Sequence, residues 1–301
     1  MPSTGHSEGL AGIAAPSGEA GPDGAAPGYR ARRTLGLRVE TRRQLTRRRT
    51  QIALGFLLVL PFILVAAFSF DDGGSRDAQT ALVDLATTGA ANFTVFTLFV
   101  SSGFLLVVIV ALFAGDTVAS EASWSSLRYL LAIPVPRSAL LRRKLVVALG
   151  YCLFALVLLP VAAYLVGGAF YGWAPLKTPL GESVSGWELA LRLGVAVGYI
   201  AVSLVFVAAL AFLVGVYTDA PLGAVGGAVM LVILSNILDS ITALGDWRRG
   251  LPTHYSLAWT DVLGPELVWN AMVRGALWSI GYGAVLLAWA WWHFEHKDIT
   301  S

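Results

Sequence analysis

Long apolar runs separated by short polar segments dominate the chain after its first fifty residues. Six of these runs approach or exceed the roughly 20 residues that an α-helix needs to cross a bilayer. They span residues 51–70, 93–114, 145–170, 193–216, 222–243 and 275–292. The pattern therefore predicts an all-α membrane protein with six transmembrane helices, within a domain over residues 51–292.

The segments that flank this predicted domain have different compositions. Residues 1–29 are rich in Gly, Ala, Pro and Ser and contain no Lys or Arg. Such a segment cannot bury enough apolar area to offset its ordering entropy, so we expect a disordered tail. Residues 30–50 contain nine arginines and predict a basic helix at the membrane interface, where arginine is attracted to anionic lipid. Residues 293–301 form a polar C-terminal tail.

The distribution of Lys and Arg predicts the orientation of the spans. If the N-terminus lies in the cytoplasm, 15 of the 21 Lys and Arg residues belong to cytoplasmic segments. Because cytoplasmic loops carry the excess of positive charge, both termini are expected in the cytoplasm. The loop at 115–144 then also faces the cytoplasm.

The overall composition agrees with this topology and excludes some kinds of function. Hydrophobic residues make up 56% of the chain and charged residues only 13%, about half the usual share in soluble domains. The net charge of +2 is too small to indicate nucleic-acid binding. No Gly-Lys pair occurs, so the chain has no P-loop and is not a self-contained ATPase. His254 has no Ser or Asp arrangement in the sequence that suggests catalysis.

The loop at 115–144 is too polar to cross a bilayer and too apolar for a simple solvated loop. As a helix it has two stripes: the apolar one contains Trp124, Leu127 and Leu131, and the polar one contains Glu121, Ser125 and Arg128. Pro134 and Pro136 end such a helix. Arg128 is the only basic residue in 120–131, so a helix that binds another protein fits better than one lying on lipid headgroups.

The order of residues in this loop resembles the cytoplasmic loop of ABC-2 type permeases, the membrane subunits of type V ABC transporters. The family pattern runs roughly D-x-x-x-x-E-x-x-x-G-T-L…P-V-x-R…K. The matching residues are Asp116, Glu121, Ser125, Ser126, Leu127, Pro134, Val135, Arg137 and Lys144. Ser125 and Ser126 stand where the family usually has Gly-Thr, a change that keeps small side chains.

The resemblance implies a fold of six spans with an N-terminal interfacial helix. It also implies an outer re-entrant helical hairpin between spans five and six, at residues 245–270. Loop 115–144 would be the coupling helix, seated in a groove of a separate ATP-binding subunit. By the same resemblance, Glu121 and Arg128 would make polar contacts with that ATPase, and Trp124 and Leu127 would brace the helix. The Pro134–Arg137 turn would fix its exit, and Lys144 would lie at the inner interface.

These expectations lead to a predicted function and two alternatives. The predicted protein is the permease subunit of an ATP-driven exporter of an amphipathic small molecule, drug, lipid or glycan. Two copies of the permease would form a homodimer, and this homodimer would assemble with two ATPase subunits. The ATPase subunits would bind ATP and Mg²⁺, while this chain would hold no cofactor or metal. Asn236 and Asp239 either line an outer vestibule or form a polar helix end. The alternatives are an ion-gradient-driven secondary carrier, which needs a midplane ionisable residue, and a non-transporting membrane anchor or sensor.

Overall fold

The computed structural model describes residues 36–70, 78–123, 137–177, 183–184, 186–218, 220–264 and 268–296. Its α-helices in these ranges are α1 Leu37–Leu45, α2 Arg48–Ser69, α3 Ala78–Ala86, α4 Ala90–Ser102, α5 Leu105–Ser123, α6 Arg137–Tyr171, α7 Gly186–Ser203, α8 Val205–Tyr217, α9 Pro221–Ser240 and α10 Asn270–His296. Two short strands, β1 Leu176–Lys177 and β2 Ser183–Val184, pair antiparallel. The predicted tail 1–29 and the end of the C-terminal tail lie outside the described residues.

Five of the described helical segments are long and apolar enough to cross a membrane. They are Arg48–Ser69, Ser138–Tyr171, Gly186–Tyr217, Pro221–Ser240 and Asn270–His296. The pair Ala90–Ser102 and Leu105–Ser120 passes the same test together but bends by 60°, and it makes a sixth span if it crosses as one. Each predicted apolar run overlaps one of these segments. The all-α membrane fold is therefore confirmed.

The helices are longer than their apolar runs at several ends. α6 begins at Arg137 rather than at residue 145, because basic side chains at a span's end can reach the interface while the backbone stays helical. α9 is instead shorter than its apolar run, because the helix ends at Ser240 and the run extends to residue 243. Hydropathy therefore located the spans but not their ends.

Two of the apolar runs contain interruptions that hydropathy does not reveal. The first interruption lies between α4 and α5, at Ser101, Ser102 and Gly103. These are small residues of the kind found at sharp helix kinks. The second is only a local irregularity at Leu204, between α7 and α8, which together form one continuous span. The Leu204 backbone N–H still donates to the Ile200 carbonyl, and the Ser203 hydroxyl donates to the same carbonyl at 2.9 Å. Such back-bonding by serine often bends a helix.

The segment between α9 and α10 contains 3₁₀ helices rather than α-helices in its described part. These are Thr242–Gly250 and Ala258–Leu263, joined by turns. Gly245 adopts φ 55°, a left-handed conformation that glycine accepts without a steric penalty. The re-entrant helical hairpin predicted at 245–270 therefore stays a prediction, since its depth in a membrane is not defined by these turns.

The core is centred on α8, which packs against α5, α9 and α10. Phe113 of α5 and Phe212 of α8 are completely buried there. α6 forms a second contact centre, against α2, α4 and α5. α5 therefore belongs to both groups and connects the N-terminal helices with the rest of the bundle.

α5 and α8 cross at two glycines. A Cβ atom added to Gly215 would lie 2.6 Å from the carbonyl oxygen of Gly115, closer than real Cβ contacts come. Small residues at such crossings allow helix backbones to approach closely, which is a main source of stability between membrane helices. The crossing lies one residue before Asp116, the first residue of the family-like pattern.

We predict that Gly215→Ala lowers the free energy of unfolding by about 1–3 kcal/mol, since the new methyl group must displace the Gly115 backbone. Thermal unfolding of the detergent-purified protein measures this change. Gly226→Ala in α9 is the matched control, because its added Cβ would meet nothing within 4 Å. Equal melting temperatures for the two variants would contradict the close crossing.

Candidate functional site

Asp116 is the centre of a buried ion-pair cluster near the C-terminal end of α5. Arg47 Nη1 lies 2.9 Å from Asp116 Oδ2, and Arg49 Nη1 lies 2.8 Å from Oδ1. Arg47 also approaches the Asp116 backbone carbonyl at 3.4 Å. Asp116 is only 4% exposed, so its charge is compensated almost entirely by these two arginines. The pairs fix the start of α2 against α5.

A second ion pair connects α1 with α6. Lys144 Nζ lies 3.3 Å from Glu40 Oε1, and Lys144 is only 2% exposed. About two helical turns further along α6, the Tyr151 hydroxyl donates to the Thr41 backbone carbonyl at 2.7 Å. α1 is therefore held along the first turns of α6 by an ion pair and a hydrogen bond.

These two groups of contacts lie at the two ends of loop 115–144. Asp116 and Lys144 are the first and last charged residues of the family-like pattern, and both pair with residues 40–49. Lys144 is buried and paired with Glu40, and its expected place at the inner interface stays a prediction. The N-terminal basic segment is also more divided than its sequence indicates: α1 ends at Leu45, while Arg48 and Arg49 already belong to α2.

The residues predicted to contact an ATPase lie at or beyond the edge of the described structure. Glu121 is in the last turn of α5 and Arg137 is the first residue of α6, but their side chains are not described. Trp124, Ser125, Leu127, Arg128 and Pro134 lie outside the described residues. Their roles stay predictions, and the structure describes only the two helices, α5 and α6, that flank residues 124–136.

The opposite end of the bundle holds the two predicted vestibule residues in different surroundings. Asp239 Oδ1 accepts a hydrogen bond from His254 Nδ1 at 2.5 Å, and the Asp239 backbone carbonyl accepts one from Arg248 at 2.9 Å. His254 therefore has an acidic partner that its sequence neighbourhood did not reveal. Both side chains of this pair are only about a quarter exposed. Asp239 is thus part of the contact between α9 and the turns that follow it.

Asn236 instead borders a small cavity of about 30 Å³, whose mainly apolar wall contains several polar side chains. The two helix interruptions meet at this cavity, which is lined in part by Ser102, Gly103, Ser203 and Leu204. Thr253 and Ser256 approach from the turns after α9, and Thr253 shares a 2.8 Å hydrogen bond with Ser235. The cavity has room for about one water molecule. Asn236 itself is exposed on the outer face of α9 in the single chain.

Further hydrogen bonds fasten the turns after α9 to the bundle. Tyr199 of α7 donates to the Tyr255 carbonyl at 2.7 Å, and Tyr282 of α10 donates to the Gly250 carbonyl at 2.7 Å. Arg192 donates to the Gly264 carbonyl at 2.6 Å. Among the described residues, no group of three or more His, Cys, Asp and Glu side chains is arranged to hold a metal ion.

The apolar helices and the paired charges at their ends define a multi-pass α-helical membrane protein. The sequence model of the ABC-2 family transporter protein matches residues 43–235, more than half of the chain. The chain therefore belongs to the ABC-2 transporter family and is a membrane permease of the ABC class. No curated protein sequence matched the chain. The matched region contains Arg47, Arg49, Asp116 and Lys144, together with the whole loop between them.

We predict that Asp116→Asn lowers the free energy of unfolding by about 1–3 kcal/mol, because two guanidinium groups lose their counter-charge and Arg49 is only half buried. Denaturant titration of the purified protein measures the loss. The start of α2 should also become more accessible to trypsin at Arg47, which loses its pair with Asp116.

Glu188→Gln is the control for that experiment. It removes another carboxylate that pairs with an arginine, but Glu188 is 60% exposed, so the expected loss is at most about 0.5 kcal/mol. An equal loss of unfolding free energy in both variants would show that the buried Asp116 pairs stabilise the protein no more than an exposed ion pair does.

Proposed function

We propose that the chain is the membrane-spanning subunit of an ATP-driven exporter, coupled to a separate ATP-binding subunit through loop 115–144. The observation that carries this proposal is the anchoring of both ends of the loop, by buried ion pairs, to the same N-terminal segment. A loop held in this way can transmit force, because neither end can move without moving α1 and the start of α2. The family membership supports the ATP-binding partner.

The helices on either side of the loop are suited to act as levers. α5 continues from Asp116 to Ser123, and α6 begins at Arg137 and reaches its ion pair at Lys144. At 1.5 Å per residue, each helical extension is about 10 Å long. A partner that binds residues 124–136 would therefore act on two rigid ends rather than on flexible chain.

Movement of α5 would reach the rest of the bundle through close packing. Gly115 precedes Asp116 and touches Gly215 of α8, and α5 also packs against α9. α9 carries Asn236, whose neighbours on the exposed face include Met230, Ile233 and Ile237. A polar side chain within an exposed apolar face supports a second copy of the chain on this side, with substrate passing between the copies. Such rigid-body motion of packed helices is a common form of transport switching.

The complete transporter in this proposal contains two permeases and two ATPase subunits. The ATPases would bind ATP and Mg²⁺, since this chain has no P-loop. The charge asymmetry supports placing α1, loop 115–144 and both termini on the cytoplasmic side of a bacterial plasma membrane. An amphipathic small molecule, drug, lipid or glycan is the proposed cargo class, in keeping with the resemblance to ABC-2 type permeases.

One observation favours a second candidate, an ion-gradient-driven carrier. The Asp239–His254 hydrogen bond joins two groups that exchange protons in many proteins, at the end of a span. The two mechanisms differ in their energy source. Collapse of the proton gradient with ATP maintained would stop a carrier but would leave an ATP-driven exporter active. A non-transporting anchor would show no transport under either condition.

We predict that Glu121→Ala combined with Arg128→Ala leaves the protein folded but reduces its ATP-driven transport at least about tenfold, since the loss of a hot-spot residue costs an interface about 2 kcal/mol or more. Vesicles that contain the permease and its ATPase measure transport of an amphipathic dye. Helix content and melting temperature should stay at wild-type values.

Asp246→Ala combined with Arg249→Ala is the matched control. This change also removes one acidic and one basic residue, but the pair is highly exposed and lies at the other end of the bundle. It should leave transport unchanged. If the Glu121/Arg128 variant transports as fast as this control, the coupling role of the loop is wrong. Purification of the permease without any ATP-binding subunit would count against the proposal as a whole.

A further inference from the structure

An apolar cavity of about 350 Å³ lies at the end of the bundle opposite α1. Its walls come from α3, α4, β1 and the second 3₁₀ helix, and include Leu85, Phe96, Leu176 and Leu263. This volume is within the range of about 300–1,000 Å³ found for small-molecule sites. Water is poorly held by walls of this kind, since they supply few hydrogen-bond partners. The cavity therefore favours an alkyl or aromatic group over solvent.

Lys177 places a positive charge at the edge of this cavity. Asn92 of α4 donates to the Lys177 carbonyl at 2.8 Å and accepts from the Lys177 backbone N–H at 2.9 Å. These two bonds use the Asn92 amide to fix the backbone of β1 beside the cavity. The Lys177 side chain is exposed, and none of the described carboxylates lies within ion-pair distance of it. Its ammonium group is thus available to a ligand.

The cavity wall also contains an unused hydrogen-bond donor. Trp259 is completely buried, and its indole Nε1 has no hydrogen-bond partner among the described residues. Buried donors are almost always paired, so an unpaired one next to a cavity indicates an acceptor that is supplied from elsewhere. A ligand oxygen at this wall would supply the acceptor that the Trp259 N–H lacks among the described residues.

We propose that this cavity binds an amphiphile with one alkyl chain and an anionic head group. The chain occupies the apolar space between α3 and α4, and the head group pairs with Lys177. An oxygen next to the head group accepts the Trp259 N–H. Binding at this site needs no ATP and no ATPase, so the proposal goes beyond the proposed transport function. A failure to detect binding would not contradict that transport function.

The test uses the full chain in phosphatidylcholine nanodiscs, without ATP. The probe is a 12-carbon carboxylic acid with a photoreactive diazirine at its methyl end, and the matching 12-carbon alcohol is the uncharged comparison. Mass spectrometry maps the labelled peptides. The acid should label α3 or α4 in a saturable way, near Leu85 and Phe96.

Two substitutions separate the contributions of charge and space. Lys177→Gln should raise the half-saturating concentration of the acid about fivefold, as expected for a partly exposed ion pair, and leave the alcohol unchanged. Arg249→Gln removes an exposed charge at the same end and should change neither. Val95→Trp fills the cavity and should abolish labelling by both probes, with helix content confirming that the variant is folded.

The source of the amphiphile is tested by competition. Adding phosphatidylglycerol to the nanodisc and finding less labelling supports the proposal with a membrane lipid as ligand. Competition by free dodecanoic acid alone supports it with a soluble amphiphile. Labelling confined to the lipid-facing side of α6, or acid labelling that is indifferent to both Lys177→Gln and Val95→Trp, would overturn the proposal.

Discussion

The buried carboxylate of Asp116 needs positive partners, and the positions of the surrounding helices satisfy that need. An ionised carboxylate that is 4% exposed is strongly unfavourable unless it is paired and hydrogen-bonded. Arg47 and Arg49 supply the partners, and this places the start of α2 against α5. Lys144 and Glu40 repeat the arrangement between α6 and α1. The two helices that border loop 115–144 are therefore tied to one N-terminal segment.

Close packing extends this connection through the bundle. Gly115 allows α8 to approach α5 directly beside Asp116, and α5 also touches α9. At the other end, hydrogen bonds from Tyr199 and Tyr282 hold the turns that follow α9. A displacement that begins at the loop thus meets rigid contacts rather than flexible chain along its route. In the proposed mechanism, this continuity would allow ATP bound to a separate subunit to drive the motion of a permease that has no P-loop.

Hydropathy and one local pattern predicted much of this architecture. The apolar runs identified the spans because a bilayer demands a minimum apolar length, and Asp116 and Lys144 belonged to the pattern that indicated the family. The partners of these residues could not be predicted, since Arg49 and Glu40 are separated from them by 67 and 104 residues. The Asp239–His254 pair was missed for a related reason: it depends on how the turns after α9 fold back. The helix break at Gly103 and the irregularity at Leu204 occur within apolar sequence and leave hydropathy unchanged.

The central claim is that the anchored loop transmits force from an ATP-binding subunit. The most direct measurement places a photoreactive amino acid at position 124 in the full transporter within its native membrane. Ultraviolet irradiation should produce a cross-link to a separate P-loop ATPase, and Asp116→Asn should weaken that cross-link by releasing the anchored end of α5. Cross-links formed only with lipid or with the permease itself would contradict the account.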